Sequence, residues 1–249
     1  MLQDIDIRNI LFLDIETVPR YAAYSDMPEK MQQLWEKKST YFRSEEETAE
    51  DVFNRGGIYA EFGKIICISV GIAQEKEKDR HGIRLKSYAG DDEKKILVDF
   101  GEMLEKYSRG RDILLCAHNG KEFDFPYIAR RMLIHGIPLP NVLDNAGKKP
   151  WEVKHLDTME LWKFGDYKHY TSLDLLTAIF NIPSPKNDMD GSMVADVYYK
   201  EKDLKRITEY CQNDVLAMAQ LMLRYKLMPL IDPEDVEMAS SDNQNNLRV

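Results

Sequence analysis

Two carboxylates stand two residues apart in the otherwise apolar run LFLDIETVPR at 11–20, namely Asp14 and Glu16. Side chains alternate between the two faces of a strand, so residues two apart point the same way. Burying two like charges side by side is costly unless a cation or a proton neutralises them. The Asp-x-Glu spacing recurs at 91/93, 232/234 and 235/237, where a helix start or an acidic tail accounts for it. The pair at 14/16 alone interrupts a strand that reads as core.

A third acid, Asp124, lies in NGKEFDFPYIARR at 119–131, where a predicted strand gives way to a helix. An N-cap is an equally good explanation for an Asp at that place, and Asn119 and Gly120 are typical turn residues.

The fourth acid, Asp214, follows Tyr210 by one helical turn in EYCQNDVLA, so both side chains share a helix face. The same Tyr-x-x-x-Asp spacing occurs at 88/92, 170/174 and 199/203, where the Asp falls at a helix boundary. Asp214 is mid-helix, which is an unfavourable place for Asp. A solvated helix face is the alternative, and the apolar neighbours Val215 and Leu216 weigh against it.

Each of the four acids ends or interrupts an apolar element. If they converge, they form an all-oxygen site suited to Mg²⁺ or Mn²⁺. Two such ions about 4 Å apart activate a water and stabilise the leaving oxygen of a phosphodiester. Tyr210 could then orient the attacking water through its hydroxyl.

The segments DIET at 14–17, NGKEFD at 119–124 and YCQND at 210–214 resemble the three exonuclease motifs of the DEDD superfamily. The Tyr four residues before the last Asp resembles the DEDDy branch, because Glu209 stands where the DEDDh branch has His. The chain is most similar to stand-alone relatives of the proofreading exonuclease domain of family-B DNA polymerases. The resemblance covers roughly residues 10–226, including HLDTMELW and KNDMDGSMV.

The resemblance implies an α/β fold of the ribonuclease H-like type, with a mixed five-stranded sheet flanked by helices. It also implies removal of 5′-mononucleotides from a 3′ end with two Mg²⁺ or Mn²⁺ ions. Asp14, Glu16 and Asp214 would hold one ion, with Asp14 bridging to a second that Asp124 helps to place, and Tyr210 would position the water.

The resemblance also supplies candidates on the substrate side. Thr17, Asn119 and Phe123 would lie beside the terminal nucleotides, although core packing explains Phe123 almost as well. Lys186 and Asp188 would border the site or form a capped turn, and Arg130–Arg131 would touch phosphates or simply face solvent.

Hydrophobic patterns predict the elements that position these residues. Strands are expected at 10–18, 64–73 and 84–89, with a fourth that runs into a loop at 112–120 and a short edge strand and turn at 153–162. Helices are expected at 91–107, 123–136, 171–182, 192–200 (with Asp190 as N-cap) and 203–227. We expect a single α/β domain over 1–230, and a flexible acidic tail at 231–249. The polar insertion 19–62, helical around Glu29–Lys38, has the length of a lid or binding loop.

The composition is that of an ordinary globular chain, with 249 residues, 43% apolar and 31% charged. A net charge of −9 argues against a protein that holds nucleic acid through a broad basic surface, but not against a metal-dependent nuclease. No apolar run is long enough to cross a membrane, and the N-terminus lacks a signal peptide's features. Three scattered cysteines form neither a disulfide framework nor a zinc motif, so we expect a cytoplasmic protein.

Three functions remain open. The first is a 3′→5′ exonuclease acting on nucleic acid with a free 3′ end, with single-stranded DNA favoured. The second is an exoribonuclease with the same chemistry, since recognition of a 2′-hydroxyl depends on pocket shape. The third is a catalytically silent nucleic-acid-binding domain, which the presence of all four acids and the Tyr disfavours. The sequence names no protein partner.

Overall fold

The computed structural model describes residues 2–77, 80–166, 170–183 and 189–239. Within them a mixed sheet has six strands in the order β5-β4-β1-β2-β3-β6. The strands are β1 Ile10–Pro19, β2 Gly63–Glu77, β3 Arg80–Ala89, β4 Leu114–Ala117, β5 Leu156–Asp157 and β6 Val236–Met238. β1, β2 and β3 are antiparallel neighbours, β4 and β5 run parallel to β1, and β6 runs parallel to β3.

A mixed α/β sheet is therefore confirmed, but the predicted number of five strands is wrong. The additional strand, β6, comes from the segment interpreted as a flexible tail, and Val236 pairs with Ile83 of β3. Arg80 holds this segment by ion pairs to Glu234 and Asp235. Three residues of mixed polarity carry too little pattern to predict a strand. The ion pairs that hold this segment join it to a residue that is remote in sequence, so they leave no local signal either. Residues 240–249 of the predicted tail lie outside the described ranges.

The helices are α1 Glu29–Ser39, α2 Glu93–Ser108, α3 Asp124–Ile134, α4 Thr158–Lys163, α5 Leu173–Ile179, α6 Val194–Asp196 and α7 Leu204–Tyr225. The predicted helices are confirmed with small shifts at their ends. The turn expected after the edge strand is instead α4, because Asp157 caps it by accepting from the N–H groups of Met159 and Glu160. The segment at 192–200 is α6 followed by a π-helical turn, Val197–Glu201, and its N-cap is Met193. Asp190 instead accepts from the N–H of Ser192.

The two faces of the sheet are covered by different helices. On one face Phe12 pairs with Gly71, where an added Cβ would lie 2.8 Å from Val215 of α7. Glycine is therefore required for α7 to pack this closely on β2. On the other face Tyr88 of β3 contacts the ring of Phe100 of α2. Because Asp14 and Glu16 alternate in step with Phe12, both acids lie on the α7 face.

The insertion 19–62 is folded around a small core of its own. Trp35 is fully buried, and its indole Nε1 donates to the carbonyl of Ala49 at 2.8 Å. Met27, Val52, Phe53 and Phe62 complete the cluster. The hydroxyl of Tyr127 in α3 donates to the carbonyl of Gly57 at 2.8 Å, which ties the insertion to the sheet domain.

A buried ion pair adds a second tie. Arg131 is 1% exposed and bonds Glu93 of α2 through Nε and Nη2, while its Nη1 donates to the carbonyl of Ala60 at 2.8 Å. Glu93 also accepts from the N–H of Ile65 and lies 2.7 Å from His135. Arg131 thus neither touches phosphates nor faces solvent as the sequence suggested; it joins α2, α3, β2 and the insertion. None of the helices in the described ranges is long and apolar enough to span a membrane.

Candidate active site

The first two acids lie in the middle of the central strand. Asp14 pairs with Ser69 of β2 and Glu16 with Cys67, just before the register shifts between Glu16 and Thr17. Glu16 is 7% exposed, and the Oδ2 atom of Asp14 is buried without a hydrogen-bond partner among the described residues. Burial raises the pKa of both carboxyls well above their ordinary values, and neighbouring carboxylates raise them further. Raised carboxyl pKa values of this kind are typical of a site that favours a bound cation or a proton.

Asp124 reaches the same place from a different element. It is the first residue of α3 and is 2% exposed, and its Oδ1 accepts a hydrogen bond from the N–H of Ile15 at 3.2 Å. The N-cap position belongs to Phe123, so Asp124 contacts the strand between Asp14 and Glu16 and does not cap the helix. Burial raises the pKa of Asp124 to about 7, against the lowering effect of the backbone hydrogen bonds.

Tyr210 and Asp214 approach from α7. The Tyr210 hydroxyl lies close enough to the Asp214 carboxylate, one turn further along the helix, for each group to shift the pKa of the other. Burial raises the pKa of Asp214 to about 7, and the hydrogen bond from Tyr210 opposes that rise. The pKa of Tyr210 is raised first by burial and then by the charges of Asp214, Glu16 and Asp14. The predicted four acids and the Tyr therefore lie within one electrostatic neighbourhood.

The tightest group of donor atoms differs from the predicted all-oxygen set. Among the described residues, one carboxylate oxygen each from Asp14 and Glu16 and the Sγ of Cys211 lie within 4.8 Å of one another. The thiol of Cys211 donates to the backbone carbonyl of Asp14 at 3.4 Å. Mg²⁺ and Mn²⁺ prefer oxygen, so the two carboxylates suit these ions and the sulfur does not. No pairing pattern in the sequence marks Cys211, which is a lone cysteine one residue after Tyr210.

The three predicted substrate-side residues have different surroundings. Thr17 is half-buried and lies near the hydroxyl of Tyr127, which donates to the carbonyl of Gly57. Asn119 has a left-handed backbone, with φ 62°, and its Oδ1 is buried without a partner among the described residues. Phe123 is half-buried against the main core, with its ring 5.3 Å from that of Tyr127. Lys186 and Asp188 lie outside the described residues.

Asp157 is a residue that the sequence analysis passed over. Its carboxylate is 3% exposed and accepts from the N–H groups of Asn119 at 3.0 Å and Lys121 at 3.2 Å, besides capping α4. A buried carboxylate with several backbone donors is well satisfied, so Asp157 fixes the turn that leads to Asp124. In HLDTMELW an Asp precedes a helical pattern, which is a sequence signal for a helix cap. Nothing in that pattern indicates that Asp157 also accepts hydrogen bonds from the Asn119 turn.

Comparison with known proteins gives one family match. Residues 58–248, more than half of the chain, match the family model described as predicted 3′-5′ exonuclease related to the exonuclease domain of PolB. The match contains Asp124, Tyr210 and Asp214 and begins after β1. A search of curated proteins found no match.

Among solved structures, the chain is similar to the family B DNA polymerase from the hyperthermophilic archaeon Pyrobaculum calidifontis. The TM-score is 0.48 and the identity 15%, and the alignment covers 86% of this chain and 24% of the polymerase chain. The chain thus spans about a quarter of the length of that polymerase. By the family match, the chain belongs to the predicted 3′-5′ exonucleases related to the exonuclease domain of PolB.

Proposed function

We propose that this protein is a metal-dependent 3′→5′ exonuclease of the DEDDy type with a ribonuclease H-like domain. It would release 5′-mononucleotides from the 3′ end of single-stranded DNA. The observation that carries the proposal is the unpartnered, buried Oδ2 of Asp14, set among three further carboxyls whose pKa values are all raised. Uncompensated carboxyls at this density destabilise a fold, and a site that binds cations is the simplest function that accounts for them.

The donor set fits Mg²⁺ or Mn²⁺. Asp14, Glu16 and Asp214 would hold one ion, and Asp14 with Asp124 would hold a second. When bound, such ions stabilise the negative charge that develops on a phosphodiester and make a water more nucleophilic. Burial of Glu16 and Asp124 favours such binding, because each carboxylate lacks the solvent that would otherwise stabilise its charge.

The protein's own groups would orient the substrate and the water. The Tyr210 hydroxyl, which lies beside the Asp214 carboxylate, is the group we assign to positioning the water. The free Oδ1 of Asn119 would bind the terminal nucleotide, held in place by the bond from its own N–H to Asp157. Thr17 and Phe123 would complete the substrate side, and a Phe face accepts any base.

The reduced state of the cysteines supports a cytoplasmic location as part of the proposal. Cys67, Cys116 and Cys211 are all free and buried. Free thiols persist most readily in a reducing compartment.

The test is a gel assay of 5′-labelled single-stranded DNA and RNA oligonucleotides with Mg²⁺ or Mn²⁺. Wild type and Asp14→Ala are run side by side, and EDTA serves as a second control. We expect a ladder with one-nucleotide steps that disappears in both controls, with DNA degraded faster than RNA.

Each other outcome replaces part of the proposal. Faster degradation of RNA would replace the DNA exonuclease with an exoribonuclease of the same chemistry. Absence of cleavage of either substrate, with tight binding retained, would contradict the enzyme and favour the silent binding domain.

A further inference from the structure

Three cations lie together near the end of the strand that carries the acids. We call Arg20, Lys64 and Lys202 the cation patch. Arg20 directly follows β1, Lys64 pairs with Val18 of β1, and Lys202 follows the π-helical turn Val197–Glu201. Three separate segments therefore bring positive charge to one surface of a chain whose net charge is −9.

Two tyrosine rings hold the patch in place. The Lys64 Nζ donates to the Tyr198 hydroxyl at 2.9 Å and lies 4.7 Å from the centre of that ring. Lys202 lies 5.7 Å from the centre of the Tyr199 ring, and the Tyr199 hydroxyl donates to the carbonyl of Pro19 at 2.6 Å. The π-helical turn is thereby fastened to the end of β1, so the patch keeps a fixed position relative to Asp14 and Glu16.

The acids nearest Lys64 already have other partners. Lys64 and Lys202 each lie 5.7 Å from the centre of the same Tyr199 ring. Burial lowers the pKa of Lys64, the charges of Asp91 and Glu93 oppose that change, and those of Lys202 and Arg20 add to it. The opposing acids near Lys64 are Asp91, which accepts from the Tyr198 hydroxyl, and Glu93, which is engaged by Arg131. Asp26 acts on Tyr199 from the insertion.

Arg20 and Lys202 are the members of the patch that an incoming ligand reaches first. Both are exposed, and neither forms an ion pair with any residue of the described ranges. Lysines and arginines elsewhere on the surface commonly pair with a nearby acid, as Lys200 does with Asp196. An unpaired, rigidly mounted set of cations is suited to a ligand with repeated negative charges.

From this arrangement we propose that the cation patch binds backbone phosphates of a single-stranded nucleic acid whose 3′ end occupies the carboxylate site. This inference rests on the proposed function. Arg20 lies four positions after Glu16 along the chain, which at about 3.3 Å per position is about 13 Å, or a few nucleotides of extended strand. The patch would supply the affinity that an acidic protein otherwise lacks, and the half-buried Tyr199 ring would lie near the bases.

The test measures binding without hydrolysis. A fluorescein-labelled oligothymidylate is titrated in EDTA with wild type, with Arg20→Gln/Lys202→Gln, and with the matched control Lys106→Gln/Arg109→Gln. Both double variants remove two exposed positive charges, and the control residues belong to α2 or directly follow it, on the opposite face of the sheet. We expect the patch variant to bind roughly 10-fold more weakly, with a salt dependence shallower by about 1.4 in log–log slope, and the control to bind like wild type.

Equal weakening in the two double variants, no weakening in either, or no binding by wild type would overturn the inference. The gel assay of the proposed function is scored separately on the same proteins. Hydrolysis with unaltered binding in the patch variant would overturn the patch and leave the exonuclease. Selective loss of binding without any hydrolysis by wild type would support the patch and overturn the exonuclease.

Discussion

Replacing Asp124 by Asn should stabilise the metal-free protein at neutral and alkaline pH while abolishing nuclease activity. Asp124 is 2% exposed and lies among three other carboxyls, and burial raises its pKa from 3.8 to about 7. An Asn oxygen can still accept the hydrogen bond from the N–H of Ile15, so the substitution removes the charge and keeps the contact. Loss of activity is expected because an amide is a poor ligand for a divalent cation beside two carboxylates.

The size of the stabilisation follows from proton linkage. Because the pKa of Asp124 is higher in the folded than in the unfolded protein, the wild type becomes less stable as the pH rises from about 4 to about 7. Over that range the folded protein must give up a proton that it holds tightly. The full difference corresponds to about 4 kcal/mol in the free energy of unfolding. Because Asp14, Glu16 and Asp214 share the same neighbourhood, relief at one position is smaller, about 2 kcal/mol. For a chain of this size that is a rise in Tm of roughly 4 to 8 °C at about pH 8, falling to less than half near pH 5.

The assay is thermal unfolding of wild type and Asp124→Asn in EDTA across this pH range. Asp157→Asn is the matched control, because Asp157 is equally buried but accepts four backbone N–H bonds. Asp157→Asn should lower the free energy of unfolding by about 1 to 3 kcal/mol, whereas Asp124→Asn should raise it. A lower Tm for Asp124→Asn at pH 8, or a rise in Tm that does not depend on pH, would show that the charge of Asp124 does not destabilise the metal-free protein.

Three further predictions concern the site and its support. Tyr210→Phe should slow hydrolysis about 10- to 100-fold in the gel assay without changing Tm, because it removes the hydroxyl that we assign to the water; a wild-type rate would contradict that role. Arg131→Met should cost about 3 to 5 kcal/mol in urea unfolding, because it leaves Glu93 buried without its partner; a cost below about 1 kcal/mol would contradict a structural role for the pair. Mn²⁺ at 100 times its Kd should stabilise wild type by about 2.7 kcal/mol at about pH 8, as followed by Tm. The same concentration should stabilise Asp14→Asn less, and an equal rise in Tm in both proteins would place the metal elsewhere.

The elements that carry the acids could be predicted because their signals are local. β1 and α7 have long apolar patterns, and Asp14 and Asp214 are conspicuous because each interrupts one. That the acids share one neighbourhood could be anticipated only from their order and the family resemblance, since chain order alone does not fix distances. The hydrogen bond from Ile15 to Asp124 is the kind of detail that required coordinates.

What the sequence did not predict depends on contacts remote in the chain. Asp157 lies where an edge strand and a turn were predicted, and its bonds to the Asn119 turn follow from β4 and β5 lying side by side. The burial of Arg131 results from the packing of α3 on α2, and nothing in the Arg130–Arg131 pair distinguishes the buried member. The strand β6 exists because β3 offers a free edge to a short segment held by salt bridges.

The most direct test of the central claim compares a linear single strand with a circular strand of the same composition, both incubated with wild type and Mn²⁺. We expect the linear strand to be converted to 5′-mononucleotides, identified by mass spectrometry, and the circle to remain intact. Cleavage of the circle, or release of oligonucleotides from the linear strand, would contradict a 3′→5′ exonuclease.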